Sequence, residues 1–454
     1  MAALNAWQER LEETALEPVR RTGRRFWAVV AILLAIIGWG IYAYSIQLRD
    51  GLVVTGMRDR ISWGLYIATF VFFIGISHAG TLISAILRVS HARWRTPVTR
   101  MAEFVTVVAL ICGASFVIID LGRPDRLLNV FIYGRWQSPI IWDVLAITTY
   151  LTASVTYLFV PMIPDLALFR DRLAGRGSRW RGWLYQTLAI GWNGNPAQWR
   201  SLASAIGVLM ILIIPIAVSV HTVVSFIFAM TMRVPWDSAL FGAFFVAGAI
   251  FSGIAILIIV MAILRRAYHL EEYVTEKHFV YLGYLMAAFA AIMIYANISE
   301  LLVHGYKLQE GVEFHFRQLF LAEFAPLFWF YLLGGLCGPI VIALVPATRN
   351  VRGIVAAAIL VTLAMWIERY FIVVTGLRVP LMPYEPASYA PTWVEWSLLA
   401  AGLAAFALLI ALFTKLFPII AVWEVAESRE AAVTDAGATR PIGEGPTLAE
   451  GASR

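Results

Sequence analysis

The chain predicts an all-α polytopic membrane protein of about ten transmembrane helices. Two observations carry this. Only 14% of its residues are charged and 60% are hydrophobic, with a mean hydropathy of +0.76; a soluble domain carries about 25% charge. Apolar runs of about 20 residues recur along it, each long enough to cross a hydrocarbon core of ~30 Å. The net charge of +6 does not point to nucleic acid, because the arginines stand between the apolar runs.

The elements follow in order. Residues 1–25 hold four glutamates and form a cytoplasmic N-terminal segment. No small-x-small cleavage pattern follows the next apolar run, so 26–46 reads as a first span rather than a signal peptide. Further spans are predicted over 61–87, 101–119, 139–160, 202–230, 239–263, 279–298, 324–345, 351–375 and 393–417, within a membrane domain of 26–423. The connection 164–200 carries Trp180, Trp183, Trp192 and Trp199 beside arginines, a composition that lies in the membrane interface as amphipathic pieces. The tail, 424–454, is expected to be disordered and cytoplasmic. Cys112 and Cys337 both fall inside spans and read as small core hydrophobes. With no Cys-x-x-Cys, the chain offers no ligand set for an iron–sulfur cluster or a c-type haem.

Alternate connections differ in charge. The set containing the N-terminus, 88–100, 165–201, 264–278 and 346–352 holds 20 Lys and Arg, against 10 in the other set. The positive-inside rule places the first set and both termini in the cytoplasm. The Asp120–Arg126 turn and the Arg233–Asp237 turn then face outward.

Ionisable groups inside spans are expensive and usually face a protein interior or an aqueous cavity. His78 lies in Gly75-Ile76-Ser77-His78-Ala79-Gly80-Thr81, where small neighbours admit a close helix or a flat ligand. A basic turn with Arg88, His91, Arg93, Arg95 and Arg100 follows it. Glu103, Asp120 and Asp143 stand at or near span ends, and a helix-terminal or interfacial role accounts for each equally well. His78 lies ~26 Å along its span from the outer end, and His221 ~28 Å along its own from the inner end. Different depths are therefore expected, which disfavours a bis-histidine haem. Asn297, Glu300, His304 and Glu323 border the outer side. Glu368 and Arg369 lie well inside the ninth span; as sequence neighbours on a helix they are not expected to face each other.

These residues resemble the NrfD/PsrC-type membrane subunits of complex iron–sulfur oxidoreductases, and most of all the ActC and ActF subunits of bacterial alternative complex III. The resemblance rests on Gly75 to Ser84, Asp120-Leu121-Gly122-Arg123-Pro124, Ser138 to Asp143, Ser219 to Ser225, Tyr273 to His278 and Trp366 to Tyr370. It covers about 50–425. It implies two four-helix bundles with peripheral helices, a quinone-site bundle over about 61–230 and a second over about 239–375. It also implies menaquinone or ubiquinone as substrate near the outer surface, no haem or cluster on this chain, and an iron–sulfur partner on the outer face beside other membrane and haem subunits. The family histidine maps to His78. Members often carry histidine where this chain has Asp120, and the Pro380-Leu381-Met382-Pro383-Tyr384 loop also departs from ActC.

The resulting expectation is a quinol-oxidising, or quinone-reducing, subunit of a respiratory or photosynthetic complex in the bacterial inner membrane. His78 and Asp120 are its candidate catalytic pair, and Arg123 and Tyr66 further quinone contacts. Glu103, Asp143, His221, Asp237, Glu368 and Arg369 are candidate proton-pathway positions. A secondary transporter and a structural anchor are the competing classes, although no matching pair of Gly/Pro-broken half-helices is present. Reporter fusions test the orientation: one after Arg126 should report the outer face and one after Arg176 the inner face, and the reverse pattern would refute it.

Overall fold

The computed structural model describes residues 2–438 except 91, 175–177, 232, 381 and 383; His91, Arg176, Leu381, Pro383 and the tail from 439 lie outside the described residues. Its principal helices are α1 (Ala2–Arg20), α2 (Arg24–Asp50), α3 (Leu65–Val89), α4 (Thr96–Asp120), α5 (Pro139–Leu173), α6 (Arg179–Leu188) and α7 (Pro196–Ala229). They continue with α8 (Phe241–Ala267), α9 (Glu276–Lys307), α10 (Val312–Phe320), α11 (Ala325–Leu344), α12 (Val351–Arg378), α13 (Trp393–Leu416) and α14 (Val422–Ala438). Ten of these, all but α1, α6, α10 and α14, are long and apolar enough to cross a membrane. The fold is all-α and polytopic, and each predicted span has its helix.

Helices α3, α4, α5 and α7 pack in a closed ring, and α8, α9, α11 and α12 in another. The rings join where α3 meets α8 and α12, and where α7 meets α8. Helices α2 and α13 pair with each other on the outside of α4. Burial follows this arrangement. The most apolar stretch of α3 is 88% buried within the protein, that of α2 only 17%. A helix apolar on every side suits the centre of a large protein, and α3 occupies it.

Local chemistry sets the ends. Helix α13 starts with a capping box in which the Thr392 and Glu395 side chains serve each other's backbone amides. Asn195 caps α7 by accepting from Gln198 N at 2.8 Å, and Asn350 caps α12 by accepting from Gly353 N at 3.0 Å. Lys415 Nζ donates to the Pro18 and Arg21 carbonyls, tying the N-terminal segment to the end of α13.

Several boundaries differ from the sequence expectation, the seventh span for instance running on from 298 to Lys307. The second span starts at Leu65 rather than 61, because Gly56 and Gly64 lie hard against Ala390 and Tyr389 of the loop that crosses above them. Leu65 N donates to the Tyr389 hydroxyl at 2.8 Å. The fourth span runs on to Leu173, and the fifth starts six residues early at Pro196. The expected disorder from 424 fails over 424–438, which is helical. Arg88 forks onto Glu424 at 2.7 and 2.8 Å, and Val425 is buried, so the first turns of α14 are anchored to the bundle.

The small residues around His78 serve helix packing rather than a ligand face. Gly80 lies against Ala102 and Thr106 of α4, Gly75 against Ala249 and Ser252 of α8, and Gly253 of α8 against Ala79. A Cβ on Gly253 would stand 2.7 Å from Ala79 N, a backbone atom that cannot yield. Gly253→Ala should therefore destabilise the protein by about 1–3 kcal/mol, read as a drop in the thermal midpoint of the solubilised protein. Gly207→Ala, on α7 with nothing within 4 Å, should leave the midpoint level or slightly raised.

Candidate functional site: a buried polar seam

Buried polar side chains from both rings form a seam that starts near the face carrying the termini. There Arg100 of α4 donates to Asp165 of α5 at 3.2 Å and stands 3.7 Å from Glu103. Ser84 donates to Glu103 Oε1 at 2.6 Å, and its Oγ lies 3.0 Å from the Tyr157 hydroxyl. All these groups are buried, which demands pairing.

In the middle of α3 the Ser77 carbonyl accepts from both Thr106 (2.7 Å) and Tyr150 (2.9 Å). The chain continues beyond His78 into a π-helical segment, Thr81–Ile86, a geometry frequent at functional sites. His78 Nε2 lies 2.9 Å from the Ala217 carbonyl of α7. A carbonyl only accepts, so this contact assigns the proton to Nε2 and leaves Nδ1 a base; Nδ1 has no hydrogen-bond partner. The His221 ring meets His78 edge to face with centroids 3.9 Å apart, and neither nitrogen of His221 has a partner.

The expected difference in depth is thus wrong. Starting α3 at Leu65 brings His78 to about 20 Å of helix from its outer end, against about 12 Å for His221 from the end of α7, so length along a helix does not give depth here: the two imidazole rings meet.

The seam crosses into the second ring at Arg369 of α12. Gly248 leaves room for that guanidinium: a Cβ there would stand 2.7 Å from Nη2. Arg369 Nη1 donates to Glu368 Oε2 at 2.6 Å, contrary to the expectation that neighbours on a helix cannot meet. The long arginine stem turns back round the helix, with its guanidinium over the Phe245 ring. Glu368 Oε1 keeps no partner. Beyond it, Asn297 Nδ2 donates to the Tyr331 hydroxyl at 2.8 Å.

Asn297, Glu300, His304, His315, Tyr331 and Glu368 line a cavity of about 110 Å³. Ser238 hydrogen-bonds Glu300 there, and His304 Nε2 lies 3.5 Å from Asp237 Oδ1. Burial, with His304 beside it, pushes His315 on α10 down to about 4, so it is neutral at pH 7.

Asp120, Tyr66 and Arg123 lie elsewhere, at the end of the first ring away from the termini. The Tyr66 hydroxyl donates to Gln47 Oε1 at 2.7 Å, and Gln47 Nε2 donates to the Ile119 carbonyl at 2.8 Å. Asp120 Oδ1 is buried without a partner. The nearby Glu395 accepts from Gly56 N at 2.7 Å and from the Tyr389 hydroxyl. Arg123 forks onto Asp125 at the surface and holds its carboxyl below the usual range, leaving Asp120 outside that pair. Tyr66 and His78 are twelve residues apart on α3, about 18 Å of helix. One small ring cannot touch Asp120 and His78 together.

Asp143 is buried, with Oδ1 unpartnered, on the face of α5 that also carries Tyr150, Ser154 and Tyr157. That i, i+7, i+11, i+14 spacing was the available sequence signal for Tyr150 and Tyr157. Arg100 carried a signal only in its i, i+3 spacing to Glu103; Asp165 and Gln47 carried none, since Arg100 and Tyr66 lie 65 and 19 residues from them.

The model of the family described as "Polysulphide reductase, NrfD" matches residues 53–380. A membrane protein of Halobacterium salinarum, ascribed to a dimethyl sulfoxide reductase as its membrane subunit, is 30% identical over 81% of this chain and 81% of its own. The Hdr-like menaquinol oxidoreductase integral membrane subunit of Archaeoglobus fulgidus is 26% identical over 89% of this chain and 96% of its own. The menaquinone reductase integral membrane subunit of Nitratidesulfovibrio vulgaris is 25% identical over 87% and 92%.

Arg100 answers two carboxylates in a dry setting. Arg100→Met should destabilise the protein by about 3–5 kcal/mol by stranding Asp165 and Glu103. Adding Asp165→Asn and Glu103→Gln should recover most of that loss in thermal or denaturant unfolding.

Proposed function

The chain belongs to the polysulphide reductase NrfD family, and on that premise we propose that it is the quinol-binding subunit of a multi-subunit oxidoreductase. Two of its relatives are named as integral membrane subunits of a menaquinol oxidoreductase and of a menaquinone reductase. That naming supports a quinol, with menaquinol favoured, as the substrate. The proposed setting is the bacterial cytoplasmic membrane with both termini inside, consistent with the bias of Lys and Arg towards the terminal face.

Oxidation of a quinol releases two electrons and two protons. In this proposal the electrons pass to an iron–sulfur partner docked on the face away from the termini. The headgroup therefore binds at that end of the first ring, against Asp120 and Tyr66, with Arg123 at the rim where the partner sits. Asp120 Oδ1, buried without a partner, is placed to accept a hydroxyl proton. His78 acts deeper, as a second proton acceptor through its free Nδ1, with His221 beside it.

From His78 the buried groups offer two directions. One runs past Tyr150 towards Tyr157 and Glu103, with Asp143 two turns to the other side of Tyr150 on the same helix face; the other runs through Arg369 and Glu368 to Asp237. Either could couple oxidation to proton translocation. The observation that carries the reading is this run of paired and half-paired protonatable groups through helices whose buried surface is otherwise mainly apolar.

Asp120→Asn should lower quinol oxidation per assembled complex by about 10²–10⁴-fold, the usual contribution of a general base; His78→Ala, which removes a deeper proton relay rather than the base at the ring, should lower it less, and both should leave the amount of complex near wild type. Less complex with unchanged turnover per complex would assign both residues to packing alone.

A further inference from the structure

An arginine-lined groove on the terminal face lies apart from the seam. The end of α1, the end of α5 and the start of α6 enclose about 570 Å³. Arg20, Arg170, Arg179 and Arg181 line it, and no carboxylate does. Arg170 is held by Asp171 and by the Trp192 carbonyl. Arg181 donates to the Val19 carbonyl at 3.0 Å. Among the described residues, no carboxylate forms an ion pair with Arg20, Arg179 or Arg181.

The groove sits at the level of the membrane surface. Tyr185, part of its lining, donates to the carbonyl of Leu416, the last residue of α13. Val19 and Arg20 lie just before α2, and Leu173 ends α5. On α6 itself Trp180 and Trp183 are 51% and 68% exposed; tryptophans at this level belong to the headgroup belt. Fold stability does not account for the arginines. Arg179 and Arg181 stand in the first turn of α6, where positive charge opposes the helix dipole and carboxylates are favoured. A local rule broken in this way marks a functional position more often than a structural one.

We propose that this groove binds the phosphodiester headgroup of an anionic phospholipid from the adjoining leaflet. Guanidinium forks match phosphate oxygens in pairs. Basic pockets between transmembrane helices on the cytoplasmic side take such headgroups. A lipid seated here would bridge α1, α5 and α6, three elements that otherwise meet only at the edge of the membrane domain. The assignment goes beyond the quinol reading and does not depend on it.

The test uses the purified assembled complex in phosphatidylcholine nanodiscs containing spin-labelled phosphatidylglycerol. Arg20→Gln, Arg179→Gln and Arg181→Gln together should weaken the immobilised-lipid signal about 100-fold in affinity, at about five-fold per arginine. Arg266→Gln with Arg352→Gln, both exposed, at the end of α8 and the start of α12 on the same face, should leave it unchanged. The single Arg179→Glu, at an exposed position, should weaken it in the same direction and guards against a folding defect in the triple variant. An unchanged signal in the triple variant, or an equal loss in the control pair, would overturn the site. Full displacement of the labelled lipid by inorganic phosphate would overturn the lipid assignment in favour of a free-anion site.

Discussion

Everything in this structure depends on how charge is housed where there is no water. A charge at the bilayer centre costs about 2.5–3.5 kcal/mol on insertion scales, and an unpaired buried polar group costs about 1–3 kcal/mol. Helix α3 answers this by standing where the two rings join, packed by its own ring on one side and by α8 and α12 on the other, so that it is almost wholly enclosed by protein. The Ser77 carbonyl receives two hydroxyls, Ser84 meets a carboxylate and His78 meets a backbone carbonyl. The close approaches at Gly75, Gly80 and Gly253 are what permit that enclosure.

The pairing is incomplete along the whole seam. Arg100 serves Asp165 and stands beside Glu103, yet its Nε and Nη1 and Glu103 Oε2 keep no hydrogen-bond partner. His78, His221, Glu368, Asp143 and Asp120 each keep an unpartnered buried atom. Protein interiors avoid such atoms unless water or a reacting group serves them. Structural glue would favour full satisfaction; groups that accept and release protons need a vacant lone pair. The seam's unpartnered atoms therefore fit the redox chemistry proposed for the family better than a purely mechanical role.

The spans were legible because bilayer length imposes a strong pattern: each predicted apolar run has a helix. Their ends were less legible. The start of α3 is set by Tyr389, over 300 residues away, and the helical stretch of the tail by Glu424 meeting Arg88. The candidate residues were also found singly, as ionisable groups in apolar runs, but their grouping was not. Depth along a span misplaced His221 relative to His78, and helix geometry alone denied the Glu368–Arg369 contact that a long side chain makes. Asp120 and His78, read as a pair, lie at different depths of the first ring. Residues such as Arg100 and Asp165 acquire meaning only from packing between helices, which no single segment encodes.

The central claim is that this chain itself receives the quinol, at the end of the first ring remote from the termini. A photoreactive quinone analogue, activated on the assembled complex and followed by peptide mapping, tests it most directly. The account predicts labelled peptides from the start of α3 around Tyr66 and the end of α4 around Asp120, with loss of label when excess quinol competes. Label confined to another subunit, or to the cavity of the second ring around Tyr331, would contradict it.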